Sequence, residues 1–279
     1  MDNLAISVTT MGRKNPVLEK LLNHNIKRLE LGRISPHHLN KLEKFLITHP
    51  LPLGVHAPLP RPANHHSLTH GHFREEKREK LLKLAARSYA EATRLGANYI
   101  IFHLPLYNEE SIRSLQRQRG SDGVRATIRA DCHHLCQLSR AGGPPVYLEI
   151  MYLDQEVMTI DFVKEVLVSL NFGLCLDLGH FQGSLHRFPN HSLIDLITEF
   201  LPYVKVIHLY NTQGYVGHDH RLPHPSQKPE DDWIDLPRVL SFLRRSRPDC
   251  LYVLEYSLKF AKDPRQVEEG INWVKQLLR

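Results

Sequence analysis

A carboxylate and an imidazole stand three residues apart in the stretch FGLCLDLGHF, residues 172–181. Its first six residues are mostly apolar and predict a short buried strand that ends at Asp177, with His180 in the loop beyond. An aspartate oxygen and a neutral histidine nitrogen together suit a divalent ion such as zinc or manganese. By itself the Asp-x-x-His spacing is more often an ordinary loop acid beside a surface histidine, so its structural setting decides.

Strand and helix patterns alternate along the whole chain of 279 residues. Strands are predicted at residues 4–8, 28–31, 53–56, 98–103, 146–150, 172–177, 204–209 and 251–256. Helices are predicted at residues 17–22, 36–47, 73–95, 109–140 with a break near Gly120, 161–170, 192–200, 236–244 and 267–278. Parallel strands need crossover helices, and eight such units in succession favour a closed barrel. A doubly wound open sheet fits less well, because its glycine-rich first turn is missing. We therefore expect an α/β fold, a single (β/α)8 TIM barrel over residues 1–279.

Polar residues fall at or near the ends of strands three to eight, where a barrel places its active site. They are His56, His103, Glu149, Asp177, His208 and Glu255. Acids and imidazoles that face one cavity would repel or stay protonated, whereas a bound cation turns them into ligands. The alternative is a polar barrel mouth whose groups satisfy one another by hydrogen bonds. We expect a metal site at the C-terminal face of the strands. Glu30, which ends strand two, fits a proton-shuttling or substrate-binding acid and a structural ion pair equally well.

The order Glu149, Asp177-Leu178-Gly179-His180, His208 and Glu255 resembles the xylose-isomerase-like barrel superfamily over essentially the whole chain. That group includes sugar isomerases and epimerases and endonuclease IV-type hydrolases. In the isomerase branch, the resemblance implies one divalent metal held by Glu149, Asp177, His208 and Glu255, with the two glutamates shuttling protons. In the hydrolase branch, it implies up to three zinc ions and adds His56, His103, His180, His218 and His220 as ligands. Asp219 and His224 compete with the last two.

Several loops depart from both branches. The loop after strand seven reads QKPEDDWID instead of a Gly-x-Gly turn, and the loop after His103 reads LPLYN instead of a glycine-serine turn. The DNA-penetrating loops of endonuclease IV are not recognisable. These departures count against DNA more than against metal binding. The resemblance therefore favours a hydrolase of small phosphodiesters, and the cobamide-remodelling phosphodiesterases, which cut the nucleotide loop of cobamides, are one such branch.

Two catalytic hypotheses follow from these residues. In a metal-dependent phosphodiesterase, more than one zinc or manganese ion would activate water, with Glu149 as the bridging carboxylate. In a sugar or sugar-phosphate isomerase or epimerase, one ion would polarise the substrate oxygens while Glu149 and Glu255 exchange protons as the catalytic pair. An abasic-site endonuclease is a further alternative, and a non-catalytic barrel is the least favoured. The histidines beyond the isomerase ligands favour the phosphodiesterase.

The bulk composition limits the partners. A net charge of +6 and a pI near 9.1 suit a small anionic substrate, either a phosphodiester or a sugar phosphate. The basic residues are dispersed over helices, so nucleic acid is permitted without being favoured.

Four cysteines, no secretory leader and no long apolar run predict a cytoplasmic protein with no membrane segment. Cys132 and Cys136 fit buried free thiols better than a zinc knot. The sequence does not determine the oligomeric state.

Overall fold

A computed structural model describes residues 3–8, 24–32, 34–140, 142–215, 219–257, 259 and 263–279. Its strands are short and almost entirely buried. They are β1 Leu4–Ser7, β2 Leu29–Gly32, β3 Leu53–His56, β4 Ile100–Leu104, β5 Val146–Ile150, β6 Gly173–Asp177, β7 Val204–Leu209 and β8 Leu251–Leu254. All pair in parallel in chain order, and β8 pairs with β1, so the sheet closes into a barrel. The predicted (β/α)8 TIM barrel is confirmed, and the domain bounds of 1–279 stay a prediction.

Helices surround the barrel and follow most strands. They are α1 Pro36–Thr48, α2 His65–Thr69, α3 Glu75–Arg94, α4 Glu109–Ser139, α5 Ile160–Ser169, α6 Leu178–Ser184, α7 Leu193–Phe200, α8 Leu236–Ser246 and α9 Pro264–Leu277. The break predicted in α4 is present at Gly120, whose φ of 68° is not helical. The helix predicted at residues 17–22 lies outside the described residues. None of the described helices is long and apolar enough to cross a membrane.

The apolar core has two parts. A large part lies between the strands and the helices, and a small one fills the inside of the barrel. The inner part consists of Ala5, Tyr99, Ile101, Cys175, Val206 and Val253. Because side chains alternate along a strand, the next inward position is two residues further on. Two residues beyond four of the inner residues, on the same side of their strands, are polar side chains: His103, Asp177, His208 and Glu255. The barrel is therefore closed below by apolar side chains and polar at its C-terminal mouth. The four cysteines are free and buried, as predicted for Cys132 and Cys136.

One close approach inside the barrel sets the position of a tyrosine. A Cβ atom added to Gly54 would lie 2.1 Å from Cζ of Tyr99, far inside van der Waals contact. We expect Gly54→Ala to destabilise the protein by about 1–3 kcal/mol, because the buried ring must move in a packed interior. Urea denaturation of the metal-free protein measures this change. An unchanged midpoint and slope would contradict the tight packing of Tyr99.

Candidate metal centre

Glu149, at the end of β5, lies at the centre of the polar mouth. Its Oε2 is 3.0 Å from Nε2 of His56 and 3.6 Å from Nε2 of His103. Its Oε1 is 3.5 Å from Nε2 of His180 and 3.6 Å from Nδ1 of His208. The two oxygens of one carboxylate therefore face two different sets of histidines.

The second set includes two further carboxylates. Nδ1 of His208 lies 3.1 Å from Oε2 of Glu255 and 3.8 Å from Oδ2 of Asp177. Nε2 of His180 is 4.0 Å from the same Asp177 oxygen. Asp177, at the tip of β6, and His208, near the end of β7, are both completely buried. The strand ends thus converge as the barrel predicts.

Three groups of side chains in the described part of the chain could hold a metal ion. They are His56, His103 and Glu149; Glu149, Asp177 and His208; and Glu30, His56 and His208. In the second group, Asp177 Oδ2 and His208 Nδ1 are buried and make no hydrogen bond; the same is true of Glu149 Oε2, which faces the first group. Buried polar atoms normally have a partner. Oxygen and nitrogen atoms of this kind, buried without a hydrogen-bond partner at the ends of three strands, fit ligands of divalent cations.

The pKa shifts of the side chains in the centre also favour a bound cation. Burial, with help from the charge of Glu149, raises the pKa of Asp177 to about 7. Burial opposes the ionisation of Glu149 as well, but His56 and His208 bring its pKa well below the usual range. Burial alone would lower the pKa of both His56 and His208, but acidic neighbours, Glu149 among them, raise both above the usual value. In the absence of metal, ring protons therefore balance the acids, and a cation would displace those protons.

The Asp-x-x-His stretch has a second, structural role. Oδ1 of Asp177 accepts a hydrogen bond of 2.8 Å from the backbone N–H of His180, which caps α6. The same oxygen accepts a second bond of 2.8 Å from the hydroxyl of Tyr210. A Cβ atom on Gly179 would lie 2.3 Å from that hydroxyl oxygen, so glycine is required there. With Oδ1 held by two donors, Oδ2 remains for the metal. Sequence reasoning missed Tyr210, which carries no signal beyond following β7.

The ligands predicted after strand seven differ in their positions and contacts. His218 lies outside the described residues. His220 stacks on Tyr210 with ring centroids 4.1 Å apart, and its Nδ1 is 3.1 Å from the carbonyl oxygen of Glu255. Asp219 lies 3.7 Å from Nε of Arg221. His220 is therefore beside the centre, although it belongs to none of the three groups.

His224, the remaining alternative, is bonded elsewhere. Its Nε2 is 3.2 Å from a carboxylate oxygen of Glu269 on α9, and its Nδ1 is 2.7 Å from the hydroxyl of Ser226. His224 therefore lies beside Glu269 and Ser226, and it belongs to none of the three groups. That His224 ligates a metal stays a prediction.

Glu30 lies one layer deeper than the other acids. It pairs with Gly54 in the sheet, two residues before His56. Its side chain is completely buried, lies 3.0 Å from Nε2 of His208, and accepts a hydrogen bond of 2.9 Å from the hydroxyl of Tyr99. Glu30 therefore contacts His208 from the side opposite to Glu149.

The centre opens toward solvent on one side. The side chains of His103 and His180 are 25% and 13% exposed, whereas those of His56, Glu149, Asp177 and His208 are at most 5% exposed. Solvent reaches the edge of the centre where those two histidines lie. A substrate would approach from there.

Comparisons with known proteins agree with this fold. The model of the xylose isomerase-like TIM barrel family matches residues 22–277. A crystal structure of a D-tagatose 3-epimerase-like protein matches with a TM-score of 0.73 and 17% identity, covering 99% of this chain and 97% of that one. A family 2 AP endonuclease from Brucella melitensis matches with a TM-score of 0.63 and 14% identity, covering 99% of both chains. A Thermus thermophilus protein soaked with zinc chloride matches with a TM-score of 0.64 and 17% identity, covering 99% of this chain and 98% of that one. No protein with a curated description matches by sequence. At these identities the solved structures show a shared fold.

Proposed function

The chain belongs to the xylose isomerase-like TIM barrel family, and we propose that it is a metal-dependent phosphodiesterase acting on a small phosphodiester. The observation that carries the proposal is the position of Glu149, whose two oxygens face separate sets of ligands. A carboxylate in that position suits two ions that share it. An isomerase with one metal would not need His56 and His103 as metal ligands.

The two proposed ions, zinc or manganese, would be held by different residues. His56, His103 and Glu149 form one group, and Glu149, Asp177 and His208 form the other. Glu255, His180 and His220 lie around the second group, and His218 is proposed as a further ligand from the sequence alone. Ions bound there would lower the pKa of a water molecule and neutralise charge on the phosphoryl oxygens.

The chain itself supplies position and charge. Glu149 holds the two groups at a fixed separation, and Asp177 is locked in place by the α6 backbone and Tyr210. Glu255, 3.1 Å from Nδ1 of His208, is placed to bind an ion or to accept a proton. The net charge of +6 favours an anionic substrate. The nucleotide loop of a cobamide is one such phosphodiester and is the first natural substrate to test.

A sugar or sugar-phosphate isomerase or epimerase is the second candidate. Glu149, Asp177 and His208, with Glu255 beside them, would suffice for one metal. The similar D-tagatose 3-epimerase-like protein makes ketohexoses the substrates to test. An abasic-site endonuclease is the third, since the Brucella melitensis protein is described as an AP endonuclease.

Metal content and hydrolysis together test the proposal. We expect protein purified without chelator, then supplied with zinc or manganese, to hold at least two ions per chain and to hydrolyse bis(p-nitrophenyl) phosphate. The double variant His56→Ala, His103→Ala should lose one ion and on the order of a thousandfold in kcat, because one Lewis acid is gone. Elemental analysis and initial rates give both quantities. The control is His37→Ala, His133→Ala, which changes two exposed histidines outside the centre.

The other outcomes separate the candidates. A single ion that the double variant retains, with epimerisation of D-tagatose and no phosphodiester hydrolysis, would replace the proposal with the epimerase. Cleavage of abasic-site DNA with rates far above those on small phosphodiesters would favour the endonuclease. Hydrolysis of a cobamide, with DNA left intact, would support the proposal and name its substrate.

A further inference from the structure

Glu30 lies against one histidine of each of the two groups proposed to hold an ion, and with the same two histidines it forms the third candidate group. An oxygen of its carboxylate lies 3.0 Å from Nε2 of His208, and the other lies 3.2 Å from the same nitrogen. The oxygen at 3.0 Å is also 3.9 Å from Nδ1 of His56. One buried acid therefore lies against two rings, one from each of the two groups proposed to hold an ion.

In each ring, the nitrogen nearest to Glu30 is the one that points away from Glu149. His208 directs Nδ1 toward Glu149, Asp177 and Glu255, and leaves Nε2 for Glu30. His56 directs Nε2 toward Glu149 and His103, and leaves Nδ1 on the side of Glu30. In both rings the candidate ligand atom and the atom facing Glu30 are thus on opposite sides.

The surroundings of Glu30 hold it in one place. Its relative exposure is 0%, and the hydroxyl of Tyr99 donates a hydrogen bond of 2.9 Å to its Oε2. Tyr99 in turn fills the space that Gly54 leaves open across β3. The inner apolar residues Ile101 and Val253 belong to the same packed cluster as Tyr99. Because Glu30 lies below the mouth, it acts on the centre through the histidines.

We propose that Glu30 is a positioning residue that orients His208 and His56 together and thereby sets the metal affinity of both groups. A carboxylate beside one ring nitrogen keeps the proton there, fixes the orientation of the ring and makes the opposite nitrogen a better ligand. Because Glu30 is shared, its loss weakens both groups and not one. This inference rests on the proposed metal centre.

Glu30→Gln tests the role with little change in shape. We expect affinities for zinc to fall by about 10- to 100-fold at both groups, the range found for carboxylates that support metal ligands. Stepwise titration of the metal-free protein in competition with a chromophoric chelator gives the two affinities. The visible spectrum of the cobalt-substituted protein reports the ligand geometry, which a merely structural role of Glu30 would leave unchanged.

Tyr99→Phe provides a milder variant, because it removes only the hydroxyl that holds Glu30. It should lower the zinc affinity of both groups, by a smaller factor than Glu30→Gln. It replaces Glu30→Gln as the test if that variant does not fold. Tyr147→Phe is the matched control. That ring stacks on Tyr99 at a centroid distance of 5.5 Å, and its hydroxyl makes no described contact with Glu30. The control should bind zinc and cobalt as the parent does.

The outcomes distinguish this inference from the proposed function. A parent protein that binds two ions, with Glu30→Gln equal to it in both affinities and in the cobalt spectrum, would overturn the role of Glu30 alone. Weakening of one group only would overturn the shared role. A parent that binds no metal would overturn the metal centre and the role of Glu30 with it.

Discussion

Glu149→Gln should remove metal from both ligand groups in one substitution and lower the rate of phosphodiester hydrolysis by at least about a thousandfold. Glu149 is the residue common to the group with His56 and His103 and the group with Asp177 and His208. Glutamine has the same shape, but its amide nitrogen carries no lone pair for a metal, and the amide has no charge to offset an ion. Elemental analysis and kcat measured on the same preparation test the expectation.

The control for this substitution is Glu165→Gln. Glu165 is an exposed acid of α5 that pairs with Arg129 at 3.0 Å on the outer surface. It should leave metal content and rate unchanged, because exposed ion pairs contribute little. Loss of one ion while the other is held at parental affinity would show that Glu149 serves one group. Parental activity with both ions retained would remove Glu149 from the centre.

The barrel and its polar mouth could be predicted from the sequence for a simple reason. Apolar runs that end in a histidine or an acid, each followed by a helical pattern, recur along the chain. A parallel barrel converts that one-dimensional pattern into a ring. His103, Asp177 and His208 therefore followed from their places at strand ends, without knowledge of their neighbours across the barrel.

The interactions that fix these ligands were beyond a single sequence. Tyr99 reaches Glu30 only because Gly54, on a neighbouring strand, lacks a side chain, and Tyr210 reaches Asp177 only because of Gly179. Such pairs depend on the register between strands and loops. Glu30 could not be distinguished from an ion-paired acid for the same reason, since its partner His208 lies 178 positions away in the chain.

Two helices, α2 and α6, were missed because they are too short for their periodicity to show. The seven residues of α6 begin directly after Asp177, where a loop was expected. The helix begins there because the Asp177 side chain accepts a bond from the backbone N–H of His180, and aspartate is a preferred N-cap residue. A side chain that serves as a candidate ligand also begins a helix. Sequence spacing alone could indicate the first role, and the structure adds the second.

Asp177→Asn separates the two roles of this residue. Asparagine keeps an oxygen that can accept the bonds from the His180 backbone and the Tyr210 hydroxyl, so the cap is preserved. Its amide nitrogen would replace Oδ2, the buried atom that has no hydrogen-bond partner. We expect loss of the ion held with His208 and a fall in kcat of about a thousandfold or more. Metal analysis and initial rates measure both effects.

Stability measurements show whether the loss comes from chemistry or from folding. In the metal-free state, Asp177→Asn should unfold at nearly the parental urea concentration, whereas Asp177→Ala should lose about 1 kcal/mol because the cap is gone. Tyr210→Phe is the matched control, since it removes one bond to Asp177 and keeps the carboxylate, so the ion should stay bound. If Asp177→Asn retained parental metal content and rate, Oδ2 would not be a ligand. If it unfolded as readily as Asp177→Ala, the capping role would account for the loss of activity instead.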